Sequence, residues 1–177
     1  IGWEKAHIYR KGRPAICADL QPPVKLIEYA KALGCKLTLA GVDFKIEETS
    51  SDQMHFQMQS FDWKLPKPAL RGHNQVDNAA GVLAVIASLM DKLPVQECAI
   101  KEGLETVRVT ARFEKVAENP QTILDVGHNP HAARVLAQNV RDLKTAGRTI
   151  AVFGMLADKD MLDVVKIMNP EIDEWFM

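Results

Sequence analysis

The chain has 177 residues, room for one large domain or two small ones, and its 47% apolar and 25% charged content is that of an ordinary soluble protein with enough core to fold. A net charge of −1 leaves no electrostatic footprint for nucleic acid or an anionic membrane, and no apolar run reaches the length of a membrane span or a signal peptide. Cys17, Cys35 and Cys98 are odd in number and lack the close spacing of a zinc or redox motif, so three buried or half-buried thiols in a reducing cytoplasm are expected.

In chain order, Gly-Trp-Glu-Lys-Ala-His-Ile (2–8) reads as a helical turn on which Glu4 and Lys5 are solvated charges and His7 a surface histidine. Lys11-Gly12-Arg13-Pro14 is turn chemistry, and Ala15 to Ala18 is a short buried strand. Pro22-Pro23 opens an amphipathic helix through Leu26, Ile27, Ala30 and Leu33, and Gly34 closes it as a left-handed cap. Lys36 to Ala40 resumes a strand, giving a strand-helix-strand unit suited to a parallel sheet. Residues 42–66 alternate apolar and polar around Phe44, Ile46, Phe56, Met58 and Phe61, with Ser50-Ser51-Asp52 as a turn, which predicts an antiparallel segment with His55 in cross-strand packing.

Residues 66–80 form an extended loop leading into a helix of Ala79, Val82, Leu83, Ile86 and Leu89, with Asp77 or Asn78 as its simplest cap. Pro94 begins a further helix through Val95, Cys98, Ile100 and Leu104, and Thr106 to Arg112 form a connector that is a plausible domain boundary. Beyond it a strand-helix period sets in. Strand 122–126 runs into helix 130–143, strand 149–154 into a helix starting near Asp158 or Lys159, and 172–177 is the next strand. Three strands with two crossovers predict an incomplete doubly wound sheet. Asn129 followed by Pro130 is an N-cap and first helical residue, and Ala133, Leu136, Ala137 and Val140 form one apolar face. Asp125, His128, Asn129 and His131 therefore crowd a strand-to-helix crevice, where open α/β sheets bind ligands.

The run Asp-Val-Gly-His-Asn-Pro-His-Ala-Ala (125–133) resembles the carboxy-terminal-domain signature of the dihydrofolate synthase/folylpolyglutamate synthase family, in the Mur ligase superfamily. Four further segments resemble that family in the same order. Glu4-Lys5-Ala6 is similar to its Glu-Lys-Ala-Gly-Ile, with His7 in place of the glycine. Gln75 and Asn78-Ala79-Ala80 match its loop-helix junction; the histidine register there is shifted, and no role is assigned to His73. Arg112-Phe113 is similar to its Gly-Arg-Phe, with Ala111 in place of the glycine, and Gly154-Met155-Leu156-Ala157-Asp158-Lys159-Asp160 to its Gly-Met-Leu-x-Asp-Lys-Asp.

The resemblance implies an α/β protein in which 1–108 are the latter part of a Mur-ligase central, ATPase domain. Residues 109–177 would be the first part of a Rossmann-like, glutamate ligase domain with a mostly parallel sheet. It implies ATP and Mg2+ as cofactors: Lys5, carboxylated by carbon dioxide, would supply an oxygen ligand to the metal and a catalytic role, and Asn78, Arg112 and Asp125 would hold the nucleotide. His128 would be a second catalytic residue, contacting nucleotide or acyl phosphate. Without the resemblance, Lys5 is a surface charge, Arg112 pairs with Glu114, and Asp125, His128 and Asn129 satisfy a turn.

The implied reaction is ATP-dependent ligation of L-glutamate to dihydropteroate or folates through an acyl phosphate, by a cytoplasmic monomer that engages neither nucleic acid nor membrane. The alternatives are another Mur-type amide ligase acting on a peptidoglycan precursor, or a non-catalytic nucleotide-binding module. No G-x-x-x-x-G-K-[ST] phosphate loop is present, the chain starts at Ile1, and it stops on the apolar run Trp175-Phe176-Met177. A fragment of a longer enzyme, inactive by itself, is therefore expected.

Overall fold

Short apolar runs punctuated by glycine and proline produce an α/β chain, which a computed structural model describes over residues 2–72 and 74–177. Ile1 and His73, the latter carrying the shifted histidine register, lie outside the described residues. The chain divides into two units, one of Ile1–Ala69 with Val76–Thr106 and one of Leu70–Gln75 with Val107–Met177. Among the described residues no helix is long and apolar enough to cross a membrane.

In the first unit, α1 (Gly2–Ala6) precedes β1 (Pro14–Cys17), α2 (Val24–Leu33) and β2 (Lys36–Leu39), with β1 and β2 parallel from Pro14↔Lys36 to Cys17↔Leu39. Gly34 ends α2 at φ 69, and its N–H bonds to the Ala30 and Lys31 carbonyls that the helix end leaves open. Ala6, Cys17 and Leu26 are buried together against Tyr9, Ile27, Tyr29, Leu37 and Leu39. The antiparallel sheet is β3 (Phe44–Glu48), β4 (Gln53–Met58) and β5 (Phe61–Pro66) in that order. Period-two alternation puts Met54, Phe56 and Met58 on the buried face with Trp63 and Leu65 of β5, and Phe56 stands opposite Trp63 with ring centroids 5.6 Å apart. The solvent face carries His55, whose Nε2 lies 2.7 Å from Asp62 Oδ1.

Helix α3 (Gln75–Leu89) covers that apolar face with Ala79, Ala80, Leu83, Ala84 and Ala87. The stripe differs from the predicted one: Val82 is 59% exposed, because the buried positions Ala80, Leu83, Ala84 and Ala87 recur three and four apart and place Val82 about 200° around the helix from Ala80. The helix also begins at Gln75, so Asp77 and Asn78 lie inside its first turn instead of capping it. Helix α4 (Glu97–Thr106) starts three residues after the predicted Pro94 and buries Ile100. Cys98 sits two residues, about 200°, around that helix and is exposed, while Cys17 is buried and Cys35 half-buried.

In the second unit, β6 (Glu114–Glu118) and β7 (Gln121–Leu124) form a hairpin, followed by α5 (Pro130–Asp142), β8 (Ile150–Val152), α6 (Met161–Met168), a 3-10 turn (Asn169–Glu171) and β9 (Glu174–Phe176). Strands β8 and β9 are parallel, from Ile150↔Glu174 to Val152↔Phe176. Strand β7, expected beside β8, bonds instead to β6. The physical reason is proximity: a two-residue connection, Asn119-Pro120, closes the hairpin at small entropic cost, whereas the charged run Glu114 to Glu118 carries no strand signal. Ala133, Ala137, Val164 and Met168 form the core between α5 and α6, with Leu136, Val140, Phe153 and Trp175 around it. Ile150 and Val152 of β8 are 54% and 88% exposed.

Candidate functional site

The second unit builds its site where β7 and β8 run out. Asp125 follows the last residue of β7, and its carboxylate is committed to the local backbone: Oδ1 accepts the Gly127 N–H at 2.7 Å and Oδ2 the Phe113 N–H at 2.9 Å. The first bond is an Asx turn. It explains Gly127, since a Cβ there would come within 2.9 Å of Asp125 Oδ1 and 3.3 Å of Ala132 Cβ. His128 is exposed, with Nδ1 3.1 Å from the Val126 carbonyl. A carbonyl only accepts, so Nδ1 donates in that bond. Asn129 caps α5 as expected, Oδ1 accepting the Ala132 N–H at 2.9 Å, with Pro130 as the first helical residue. The amino end of α5, with its partial positive charge, thus opens beside His128.

Arg112 lies on the turn that enters β6. Ala111 and Phe113, on either side of it, have φ of 54° and 50°, the left-handed region that side-chain-bearing residues rarely occupy. Phe113 is buried and Arg112 exposed. Glu114 Oε2 accepts the Ala111 N–H at 2.7 Å, and the Ala111 carbonyl accepts the Val126 N–H at 3.0 Å. The carboxylate of Glu114 is therefore occupied by backbone, and among the described residues Arg112 has no ionic partner. The simple surface pairing of Arg112 with Glu114 is not formed.

At the second strand end, Asp160 caps α6 through the Asp163 N–H at 3.2 Å, a role the sequence suggested for Asp158. Asp158 instead bonds Lys159, Nζ to Oδ2 at 2.7 Å. That bond, joined by the charges of Lys159 and His128, holds the Asp158 carboxyl below its usual range. Asp125, Gly127 and His128 from one strand end and Gly154, Leu156 and Lys159 from the other line one cleft of about 710 Å³, whose apolar wall includes Leu136, Val140, Phe153 and Val164. A cleft with an apolar wall and a few convergent polar groups is the usual form of a small-molecule site.

Lys5 and Asn78 belong to the first unit. Lys5 is exposed in the last turn of α1, and Asn78 is exposed at the fourth position of α3. His7, in the glycine position of the resemblance, packs its ring between Trp3 and Tyr29, at 4.7 and 4.6 Å, with Nδ1 2.7 Å from the Trp3 carbonyl. It stands in the turn just past the end of α1, which stops at Ala6. Among the described residues no group of three His, Cys, Asp or Glu side chains could by itself hold a metal ion. Lys5 is exposed, so its neutral amine could add to carbon dioxide with loss of a proton, and the carbamate would supply the oxygen donor that a hard cation takes.

Sequence reasoning brought Arg112, Asp125 and His128 forward, left Lys159 between solvent and ligand, and missed Gly127 and Glu114. The Asp-x-Gly spacing was a usable signal for Gly127, as an Asx turn with a close approach. Glu114 had none, because its partner is set by the folded turn, and Lys159 was left undecided because its neighbours are set by the meeting of two strand ends.

The geometry can be set beside known proteins. Residues 111–177 match the family "Mur ligase, glutamate ligase domain". The dihydrofolate synthase/folylpolyglutamate synthase of Escherichia coli (strain K12) is 34% identical over 176 residues, covering 99% of this chain and 40% of that protein. Over nearly its whole length the chain is similar to the dihydrofolate synthase/folylpolyglutamate synthase family. A member of that family crystallised with Mn, AMPPNP and L-glutamate superposes with a TM-score of 0.87 at 35% identity, covering 98% of this chain and 41% of that one. The E. coli FolC in complex with DHPP and ADP gives 0.89 at 33% identity, with the same coverage. The chain thus spans about two fifths of the length of the family members it matches.

Proposed function

We propose that this chain contributes part of the active site of an ATP-dependent ligase that joins L-glutamate to dihydropteroate, to folates or to both, through an acyl phosphate. The observation that carries the reading is the cleft at the ends of β7 and β8, where Asp125, Gly127, His128 and Lys159 meet beside the turn bearing Arg112. Relatives solved with AMPPNP and L-glutamate, or with DHPP and ADP, support the same substrate classes. In this reading residues 1–108 are the latter part of the central, ATPase domain and 109–177 the first part of the glutamate ligase domain. The division between Thr106 and Val107 and the family match from 111 support that partition. The protein acts as a monomer in the cytoplasm.

Arg112, permanently charged and without a carboxylate partner among the described residues, binds nucleotide phosphates. Asp125 holds the nucleotide with the oxygen lone pairs that its two backbone bonds leave over, and Asn78 contacts it from α3. His128, whose Nδ1–H is held by the Val126 carbonyl, stabilises anionic phosphate or acyl phosphate by donating from Nε2–H as an imidazolium, with the amino end of α5 beside it. The Lys159 ammonium adds a second cation to the same cleft. Lys5, as a carbamate formed from its neutral amine and carbon dioxide with loss of a proton, contributes an oxygen ligand to Mg2+. The metal, when bound, neutralises phosphate charge. Catalysis of this type rests on positioning and charge neutralisation.

The test is phosphate release by the complete gene product with Mg-ATP and L-glutamate, supplied in turn with dihydropteroate, a reduced folate or a UDP-linked muramyl peptide. Release with dihydropteroate alone marks a dihydrofolate synthase, and release with the folate as well marks the bifunctional enzyme. Release only with the muramyl peptide, or none, overturns the reading. Carboxylation of Lys5 is checked separately: 13C-bicarbonate should give a carbamate resonance that disappears in Lys5→Arg.

A further inference from the structure

The turn at 111–114 is held in an unfavourable shape by groups that the nucleotide reading does not use. Two residues with side chains, Ala111 and Phe113, sit at φ 54° and 50° on either side of Arg112. Such conformations are unfavourable for residues with a Cβ and persist only where the surroundings impose them. Three bonds impose them here. Glu114 folds back so that Oε2 accepts the Ala111 N–H at 2.7 Å, Asp125 Oδ2 accepts the Phe113 N–H at 2.9 Å, and the Ala111 carbonyl accepts the Val126 N–H at 3.0 Å. Phe113, buried with 6% of its surface exposed, anchors the far side. Arg112, between the two clasped residues, is the one left exposed.

We propose that Glu114 is a positioning residue for Arg112: with Asp125 it forms a clasp of two carboxylates that holds the turn left-handed and presents the guanidinium to an anionic ligand. The proposal rests on the nucleotide reading of Arg112. Bonds from backbone N–H to a carboxylate are among the stronger neutral-to-charged kind, so each acceptor is suited to offset the cost of one left-handed residue. Ala111 creates the need for Glu114. A glycine at 111 would enter the same region at little cost, and the turn would then hold its shape without the side-chain acceptor. The clasp also links two segments of sequence, since the carboxylate lining the cleft at 125 is the one that fixes residue 113.

The experiment uses the complete gene product, with Mg-ATP titrated to millimolar concentration and backbone amide shifts followed at Arg112 and Gly127. Glu114→Ala should weaken ATP binding about tenfold and speed exchange of the Ala111 amide proton, as expected for loss of one bond to a charged acceptor. Glu114→Gln, which keeps a carbonyl acceptor, should stay within about twofold of the parent, by the same reasoning. Ala111→Gly in the Glu114→Ala background should restore binding to within about twofold, because the glycine removes the backbone cost. A merely structural role for Glu114 predicts no such rescue at a neighbouring position. If Arg112→Gln abolishes binding while Glu114→Ala leaves both binding and Ala111 exchange unchanged, the positioning role is overturned and the nucleotide site stands. If Arg112→Gln binds as the parent does, or the parent shows no ATP-dependent shift at Arg112, the nucleotide reading of that residue falls and the proposal falls with it.

Discussion

At the scale of single residues, Gly127 is constrained although it holds no functional atom. Replacing it with alanine puts a methyl group 2.9 Å from Asp125 Oδ1, so Gly127→Ala should break the Asx turn and release one of the two bonds that orient the carboxylate. Asn129→Ala removes only the cap of α5, and denaturant titration should record a loss of about 1 kcal/mol. Tyr9 offers a pH test. Burial, with the nearby Cys17 and Cys35 thiols, raises its phenol above the ordinary value of 10.0, so the fold prefers the neutral form. The stability associated with that preference is fully present below pH 10.0 and is lost as pH rises through 10.0 toward the folded value. Tyr9→Phe should remove this alkaline component, read as a smaller decline in melting temperature above that pH.

At the scale of elements, local chemistry was legible and partner choice was not. Pro23 and Gly34 bound α2, and Asn129-Pro130 starts α5, because caps and prolines act on their own backbone. The alternation from Gln53 to Met58 gave β4 its buried face for the same reason. Val82 in α3 shows where this stops: periodicity allowed a stripe through Val82, but the helix buries the alternative stripe of Ala80, Leu83, Ala84 and Ala87, and Val82 faces outward. Strand β6 was illegible because Glu114, Lys115 and Glu118 carry no apolar stripe, so its pairing with β7 depends on the turn between them. In the site, Asp125 and His128 could be found from one segment, whereas Lys159 joins them only when two strand ends meet in the cleft. The sheet's own weak point is Phe56, fully buried between Phe44 and Trp63. Phe56→Ala should cost about 3–5 kcal/mol in chemical denaturation through the cavity it leaves.

At the scale of the whole molecule, the chain passes from one unit to the other three times, at Ala69, at Gln75 and at Thr106, and each unit has its own core. Calorimetry should register that division. Phe56→Ala should lower the melting temperature of the unit built around the antiparallel sheet and leave the α5–α6 unit's transition in place; a single transition that shifts as a whole would mean that the two cores melt together.

Strands β8 and β9 carry a different consequence. Two parallel strands alone are a small sheet, and β8 shows Ile150 and Val152 largely to solvent. Such an edge is a template for strands from other molecules, which natural proteins cover or charge. In concentrated solution, then, this chain should behave as a sticky colloid whose light scattering grows faster than its concentration, and a single lysine introduced by Val152→Lys should keep it dispersed.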